Sequence, residues 1–281
     1  MPDVIVSAAD LARELDGPRP PRLLDVRWTL GGPPGIGAFR EGHLPGASYV
    51  DLDTELAAAP SATAGRHPLP DVADLQAAAR RWGLRAGEPV VVYDDSGAMS
   101  AARAWWLLRW AGVQDVRILD GGLAAWTAAG GAVETGERDV EPGDVELSAG
   151  HLPTLDADGA AQWADEGVLL DARAAERYRG EVEPVDPRAG HIPGAVSAPT
   201  SENLGADGRF LPADDLTARF AALGVPAGDV AVYCGSGVTA AHQAAALVMA
   251  GRTPVLYPGS WSQWSADPER PVATGGDPAA G

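Results

Sequence analysis

The segment YCGSGVTAAH, starting at Tyr233, contains Cys234, the single cysteine of the 281-residue chain. A thiolate is a strong nucleophile. The apolar run VAVY comes before it and the small-residue run TAAHQAAALVMA follows. That pattern puts the cysteine where a buried strand ends and a helix begins, the place where parallel α/β sheets bind ligands. The turn GSGVT points backbone N–H groups at one centre, and the positive end of the next helix adds to them. Gly235 and Gly237 let the backbone close on the sulfur. Such a setting favours an anion, and the expected anion is the thiolate. A lone cysteine is often only a small buried hydrophobe; the strand–turn–helix position argues for a reactive one. One cysteine forms no internal disulfide, and no CxxC or His/Cys cluster suggests a metal site.

The elements that must hold this turn occur twice. LLDVR at Leu23 returns as LLDAR at Leu169, and GHLPGA at Gly42 returns as GHIPGA at Gly190. VVVYDDSGAMSAA at Val90 returns as VAVYCGSGVTAAH at Val230, and DGGLAAW ending at Trp126 is echoed by PGSWSQW ending at Trp264. The order is kept and the offsets are 146, 148, 140 and 138 residues, so the chain is a duplicated domain with small insertions. Asp94 occupies the position of Cys234 in the first copy. An aspartate cannot be the sulfur nucleophile, so the first copy reads as an inactive partner and the second as the catalytic one.

Within each copy, short apolar runs alternate with segments of helical spacing. RLLDVR, EPVVVYD and VRILDG read as strands, and DVADLQAAARRWGL and AARAWWLLRWAG read as helices ended by glycine. VLLDAR, ADDLTARFAALG, DVAVYC, TAAHQAAALVMAG and PVLYPG repeat the sequence of types. Alternating strands and helices predict an α/β fold, two tandem domains each with a parallel sheet flanked by helices. The expected division is residues 1–137, a linker at 138–150, and 151–281 with a short disordered tail, GGDPAAG. The linker lies in the polar stretch 136–153, in which DVELS could pair as an edge strand.

Composition narrows the function. The net charge of −18 repels nucleic acid and anionic membrane surfaces. A small anionic substrate must then be drawn in by a local positive field. The N-terminus has no basic stretch followed by an apolar one, and no apolar run reaches about 18 residues, so a cytoplasmic protein is expected.

The paired GH(L/I)PGA segments, the cysteine loop and the tandem arrangement resemble the two-domain sulfurtransferases of the rhodanese superfamily, over roughly residues 4–272. Thiosulfate sulfurtransferases of the mammalian type typically carry basic residues after the cysteine, as in CRKGVT. Mercaptopyruvate sulfurtransferases typically carry CGSGVT, the form present here. The resemblance implies transfer of sulfur from 3-mercaptopyruvate through a Cys234 persulfide to a thiol or cyanide, with release of pyruvate; thioredoxin is a further candidate acceptor. It implies no cofactor, and a complete site within one chain is compatible with a monomer. The pyruvate enolate must be protonated as it leaves, which calls for a relay rather than added positive charge. By the family pattern that relay is Ser236, His67 in RHPLP, and Asp53 in VDLD. The same pattern assigns Arg177 to the substrate carboxylate; the family's second arginine is not in its usual place here, and Arg188 either replaces it or is simply solvated. Gly235, Gly237, Val238 and Thr239 supply the loop around the sulfur and donor. His43 and His191 of the GH(L/I)PGA turns, and Trp105, Trp106 and Trp110 at helical spacing, read as structural; Trp261 and Trp264 are candidate pocket walls.

The alternative within the same fold is a thiosulfate sulfurtransferase. A non-catalytic persulfide carrier or redox module would not need Ser236, His67 and Asp53 together. A cysteine phosphatase needs an arginine six residues after the cysteine, where Ala240 stands.

Overall fold

The computed structural model describes residues 3–276. The expected disordered tail lies, from residue 277 on, outside the described residues. The chain divides into two compact units. The first comprises residues 1–58, 70–151 and 206–210, and the second comprises residues 59–69, 152–205 and 211–281.

The first unit contains β1 (Ile5–Val6), α1 (Ala8–Leu15), β2 (Arg22–Asp25), α2 (Ile36–Glu41), β3 (Ser48–Tyr49) and α3 (Leu52–Glu55). These are followed by α4 (Val72–Arg81), β4 (Val90–Tyr93), α5 (Ala101–Trp110), β5 (Val116–Leu119) and α6 (Gly122–Ala128). Its strands form one sheet in the order β1-β5-β4-β2-β3, and each pairing is parallel. β4 reads VVVY and is buried throughout, as a central strand covered on both faces must be. Helix α4 begins where the Asp71 carboxylate accepts from the Ala73 N–H, and ends ahead of Gly83 at φ +82°.

The second unit contains α7 (Ala157–Glu166), β6 (Leu169–Asp171), α8 (Ala175–Tyr178), β7 (Val196–Ser197) and a 3-10 turn over Thr200–Asn203. It continues with α9 (Ala213–Ala222), β8 (Asp229–Tyr233), α10 (Thr239–Met249), β9 (Thr253–Leu256) and α11 (Ser260–Trp264). Its sheet runs β7-β6-β8-β9, again all parallel. Each unit is therefore the parallel, helix-flanked α/β architecture that the alternation of apolar runs predicts.

The repeated motifs do the same structural task in both units. Asp25 and Arg27 form a buried bidentate pair, and Arg27 Nη2 donates to the Gly42 carbonyl at 2.6 Å. Asp171 and Arg173 repeat this, with Arg173 Nη2 on the Gly190 carbonyl at 2.6 Å. The LLDxR and GH(L/I)PGA motifs are thus two ends of one tether. His43 Nδ1 bonds to the Phe39 carbonyl and the ring stacks on Phe39; His191 Nδ1 bonds to the Tyr178 carbonyl and stacks on Tyr178. The Leu44 and Ile192 N–H groups donate to the hydroxyls of Tyr93 and Tyr233, the last residues of β4 and β8. Burial pushes the Tyr233 phenol well above its ordinary range, so it stays neutral.

Two expectations change. DVELS is not a strand. It runs as irregular chain, bound by the Val145 N–H to the Leu84 carbonyl and the Leu147 N–H to Gln76 Oε1. Trp261 and Trp264 belong to the second unit's core rather than to an open wall: both are buried, and their indole N–H groups reach the Arg188 and Pro271 carbonyls. Trp105, Trp106 and Trp110 are buried on α5. Among the described residues, no helix is long and apolar enough to cross a membrane.

Candidate functional site

β8 ends at Tyr233 and α10 starts at Thr239, with the loop Cys234–Val238 between them. The position follows from the sequence: an apolar run that must be covered, then two glycines and a serine that no strand would keep, then alanines that favour a helix. Cys234 is 1% exposed. The Gly237 N–H donates to its Sγ at 3.1 Å, and Gly237 takes φ +80°, a conformation costly for any side chain. Val238 caps α10 and is buried, and Thr239 opens its first turn.

The loop is held from behind by the turn into α11. The Cys234 N–H donates to Ser260 Oγ at 3.1 Å, and Ser260 Oγ donates to the Tyr257 carbonyl at 2.9 Å. The Trp261 and Ser262 N–H groups donate to the carbonyls of Cys234 and Gly235 at 2.9 and 2.8 Å. Ser260 itself sits at φ +52°, one of two non-glycine residues with positive φ among the described residues. A strained serine whose hydroxyl accepts from the Cys234 amide is a residue that sequence reasoning missed; the PGS signal beside Trp261 was its only trace.

Segment 59–69 packs into the second unit and brings His67 with it. His67 Nδ1 lies 2.7 Å from Ser236 Oγ, and both side chains are buried. The structure thus brings two of the sequence-predicted site residues together. Asp53 is on α3 of the first unit, where its Oδ2 accepts from the Trp28 indole N–H at 2.9 Å.

The arginines separate. Arg177 faces the loop: a Cβ placed on Gly235 would be 3.5 Å from its Nη1. Its Nη2 pairs with Glu183 Oε1 at 2.7 Å and with Asp186 Oδ2 at 3.1 Å. Arg188, the candidate second arginine, is turned away. Its donors go to the carbonyls of Ser265, Arg270, Trp264 and Asp267, so it holds the chain after α11 in place. Its position close before GHIPGA sets proximity to the site but not the direction of the side chain. Arg179 pairs with Glu181 at the surface. The residue that does stand beside Arg177 is Arg66, whose Nη2 would be 3.2 Å from the same Cβ point. Gly235 has an ordinary φ, so its lack of a side chain serves this approach rather than the backbone.

Among the described residues no cluster of three or more His, Cys, Asp or Glu could hold a metal ion. The arrangement is suited to nucleophilic sulfur chemistry: a thiol under backbone donors, a hydroxyl on an imidazole, and two guanidinium groups for an anion.

Known proteins place the chain. The rhodanese-like domain family matches residues 7–129 and again 156–267. A Mycobacterium tuberculosis protein provisionally named thiosulfate sulfurtransferase SseB is 50% identical over 97% of each chain. A Pseudomonas aeruginosa protein provisionally named 3-mercaptopyruvate sulfurtransferase is also 50% identical, over 96% of this chain and 98% of that one. The crystal structure of SseA from Escherichia coli, described as a 3-mercaptopyruvate sulfotransferase, is 32% identical and superposes with a TM-score of 0.82 over 92% of this chain and 99% of that one. With both halves matched and relatives of half-identical sequence along nearly the full length, the chain belongs to the rhodanese family of sulfurtransferases.

Proposed function

We propose that this sulfurtransferase takes its sulfur from 3-mercaptopyruvate. The observation that carries the reading is the 2.7 Å contact between Ser236 Oγ and His67 Nδ1, two residues from the only cysteine. The Cys234 thiolate attacks the thiol sulfur of the donor. A sulfur–sulfur bond forms, the carbon–sulfur bond breaks, and its electron pair goes to carbon as the pyruvate enolate. That carbon needs a proton. Ser236, backed by His67 and with Asp53 as the orienting carboxylate, delivers it and gives pyruvate. Thiosulfate makes no such demand, because sulfite leaves with the electron pair on sulfur.

The Gly237 N–H stabilises the sulfur anion as thiolate and then as persulfide; Arg177 holds the donor carboxylate. The outer sulfur passes to cyanide or a thiol, with thioredoxin as a candidate cellular acceptor. A monomer in the cytoplasm fits a site built within one chain. The test is initial rates with 3-mercaptopyruvate and with thiosulfate, cyanide as acceptor and Cys234→Ser as blank. Higher kcat/KM for 3-mercaptopyruvate supports the reading; higher kcat/KM for thiosulfate makes the protein the thiosulfate enzyme that its Mycobacterium tuberculosis relative is named for.

A further inference from the structure

Arg66 lies immediately before His67, in a segment that has no counterpart in the repeat pattern. Its backbone N–H is fixed by Ser262 Oγ at 3.0 Å, and the Ser262 N–H in turn holds the Gly235 carbonyl. Its guanidinium is fixed on one edge by Asp186 Oδ1 at 2.6 Å. The Asp186 side chain is 3% exposed and grips Arg177 with its other oxygen, so one carboxylate spaces two guanidinium groups. The two groups converge on a single point beside the nucleophile: Arg66 Nη2 at 3.2 Å and Arg177 Nη1 at 3.5 Å from a Cβ built on Gly235. The Nε atoms of both arginines are buried without a hydrogen-bond partner.

We propose that Arg66 is the second carboxylate-binding arginine of this site, forming with Arg177 a clamp spaced by Asp186. This rests on the carboxylate-bearing donor proposed above. Charge explains the preference. Arg66 and Arg177 are each offset by a carboxylate, Asp186 or Glu183, so the clamp offers directed donors with little surplus positive charge. Directed donors suit a planar monoanionic carboxylate, which two forks can meet edge-on. A thiosulfate dianion beside a thiolate would need surplus charge.

The experiment compares 3-mercaptopyruvate with mercaptoacetone, in which a methyl group replaces the carboxylate, in wild type, Arg66→Met and Arg66→Lys. Mercaptoacetone needs the same thiolate and the same proton relay but no clamp. Arg66→Met should raise KM for 3-mercaptopyruvate about tenfold to a hundredfold with a smaller change in kcat, and so collapse the preference for 3-mercaptopyruvate over mercaptoacetone. Arg66→Lys, which keeps the charge opposite Asp186, should give an intermediate preference. A preference unchanged in both variants overturns the proposal. If both donors fall together, Arg66 serves His67 and not the substrate, and the proposal is also wrong. A wild type inert toward 3-mercaptopyruvate overturns the donor itself, an outcome distinct from either.

Discussion

Ser236 Oγ and His67 Nδ1 are 2.7 Å apart although 169 positions separate them in the chain. The contact forms because segment 59–69 leaves the fold of its own half and packs with the other. A proton route and a nucleophile are thereby assembled beside one backbone loop. Ser236→Ala should lower kcat with 3-mercaptopyruvate by roughly 10²–10⁴, the usual size of a lost proton-transfer group. His67→Gln should do the same, and steady-state rates with thiosulfate should change far less in both variants. Equal losses with both donors would remove the relay from the mechanism.

Gly235→Ala tests the space beside the thiol. The backbone there suits alanine, so folding should be nearly unaffected. The new methyl meets Arg66 Nη2 at 3.2 Å and pushes the guanidinium groups outward. KM for 3-mercaptopyruvate should rise several-fold while the thermal midpoint stays within a few degrees.

Ser260→Ala removes the acceptor of the Cys234 N–H and leaves that buried donor unpaired. The expected cost is about 1–3 kcal/mol in urea unfolding, with a fall in kcat as the loop loosens. Ser260→Gly suits the φ of +52° but also loses the hydroxyl, so it should recover stability without recovering rate.

His191 gives a pH prediction. Burial lowers its pKa; the hydrogen bond to Tyr178 and nearby Asp171 oppose this, while Arg173 adds to it. In the unfolded chain the imidazole takes a proton near pH 6.5, and in the fold it resists until lower pH. The unfolded state therefore binds more protons in that interval. Stability should be complete above pH 6.5 and fall as pH drops toward the folded value. Urea midpoints between pH 7.5 and 5 should show that slope, and His191→Gln should flatten it.

Asp94 is buried, and its carboxylate accepts from the N–H groups of Ser96, Ala98, Ser100 and Ala101 and from the Ser100 hydroxyl. Asp94→Ala orphans all of these donors. It should destabilise the first unit by about 3 kcal/mol or more, read as an earlier unfolding step that leaves the second unit's transition in place.

The duplication, the strand and helix types and the Cys234 turn were legible because they are local patterns, carried by apolar spacing and by glycine. The Ser236–His67 pair was legible only through resemblance, since nothing in RHPLP marks it as bound for the other unit. Arg66 and Arg188 show the limit. Each is an arginine in an irregular loop, where no periodicity gives the direction of the side chain. Arg188 ends on four carbonyls and Arg66 ends beside Gly235. The basic residue directly before His67 was the available signal. DVELS reads as a strand by its residue types, but its N–H groups find loop carbonyls and a glutamine instead.

The Asp94 carboxylate has one more consequence. It is a resident counter-ion, covalently attached, so the hydrogen bonds it accepts in the first unit's loop need no bound species to complete them. The matching loop of the second unit depends on whatever sulfur species Cys234 carries, and turnover changes that species twice per cycle. The two halves thus share a mould but differ in permanence. Thiolate, persulfide and alkylated forms should shift the melting of the second unit and leave the first where it was, a thermal record of the catalytic state written in one half only.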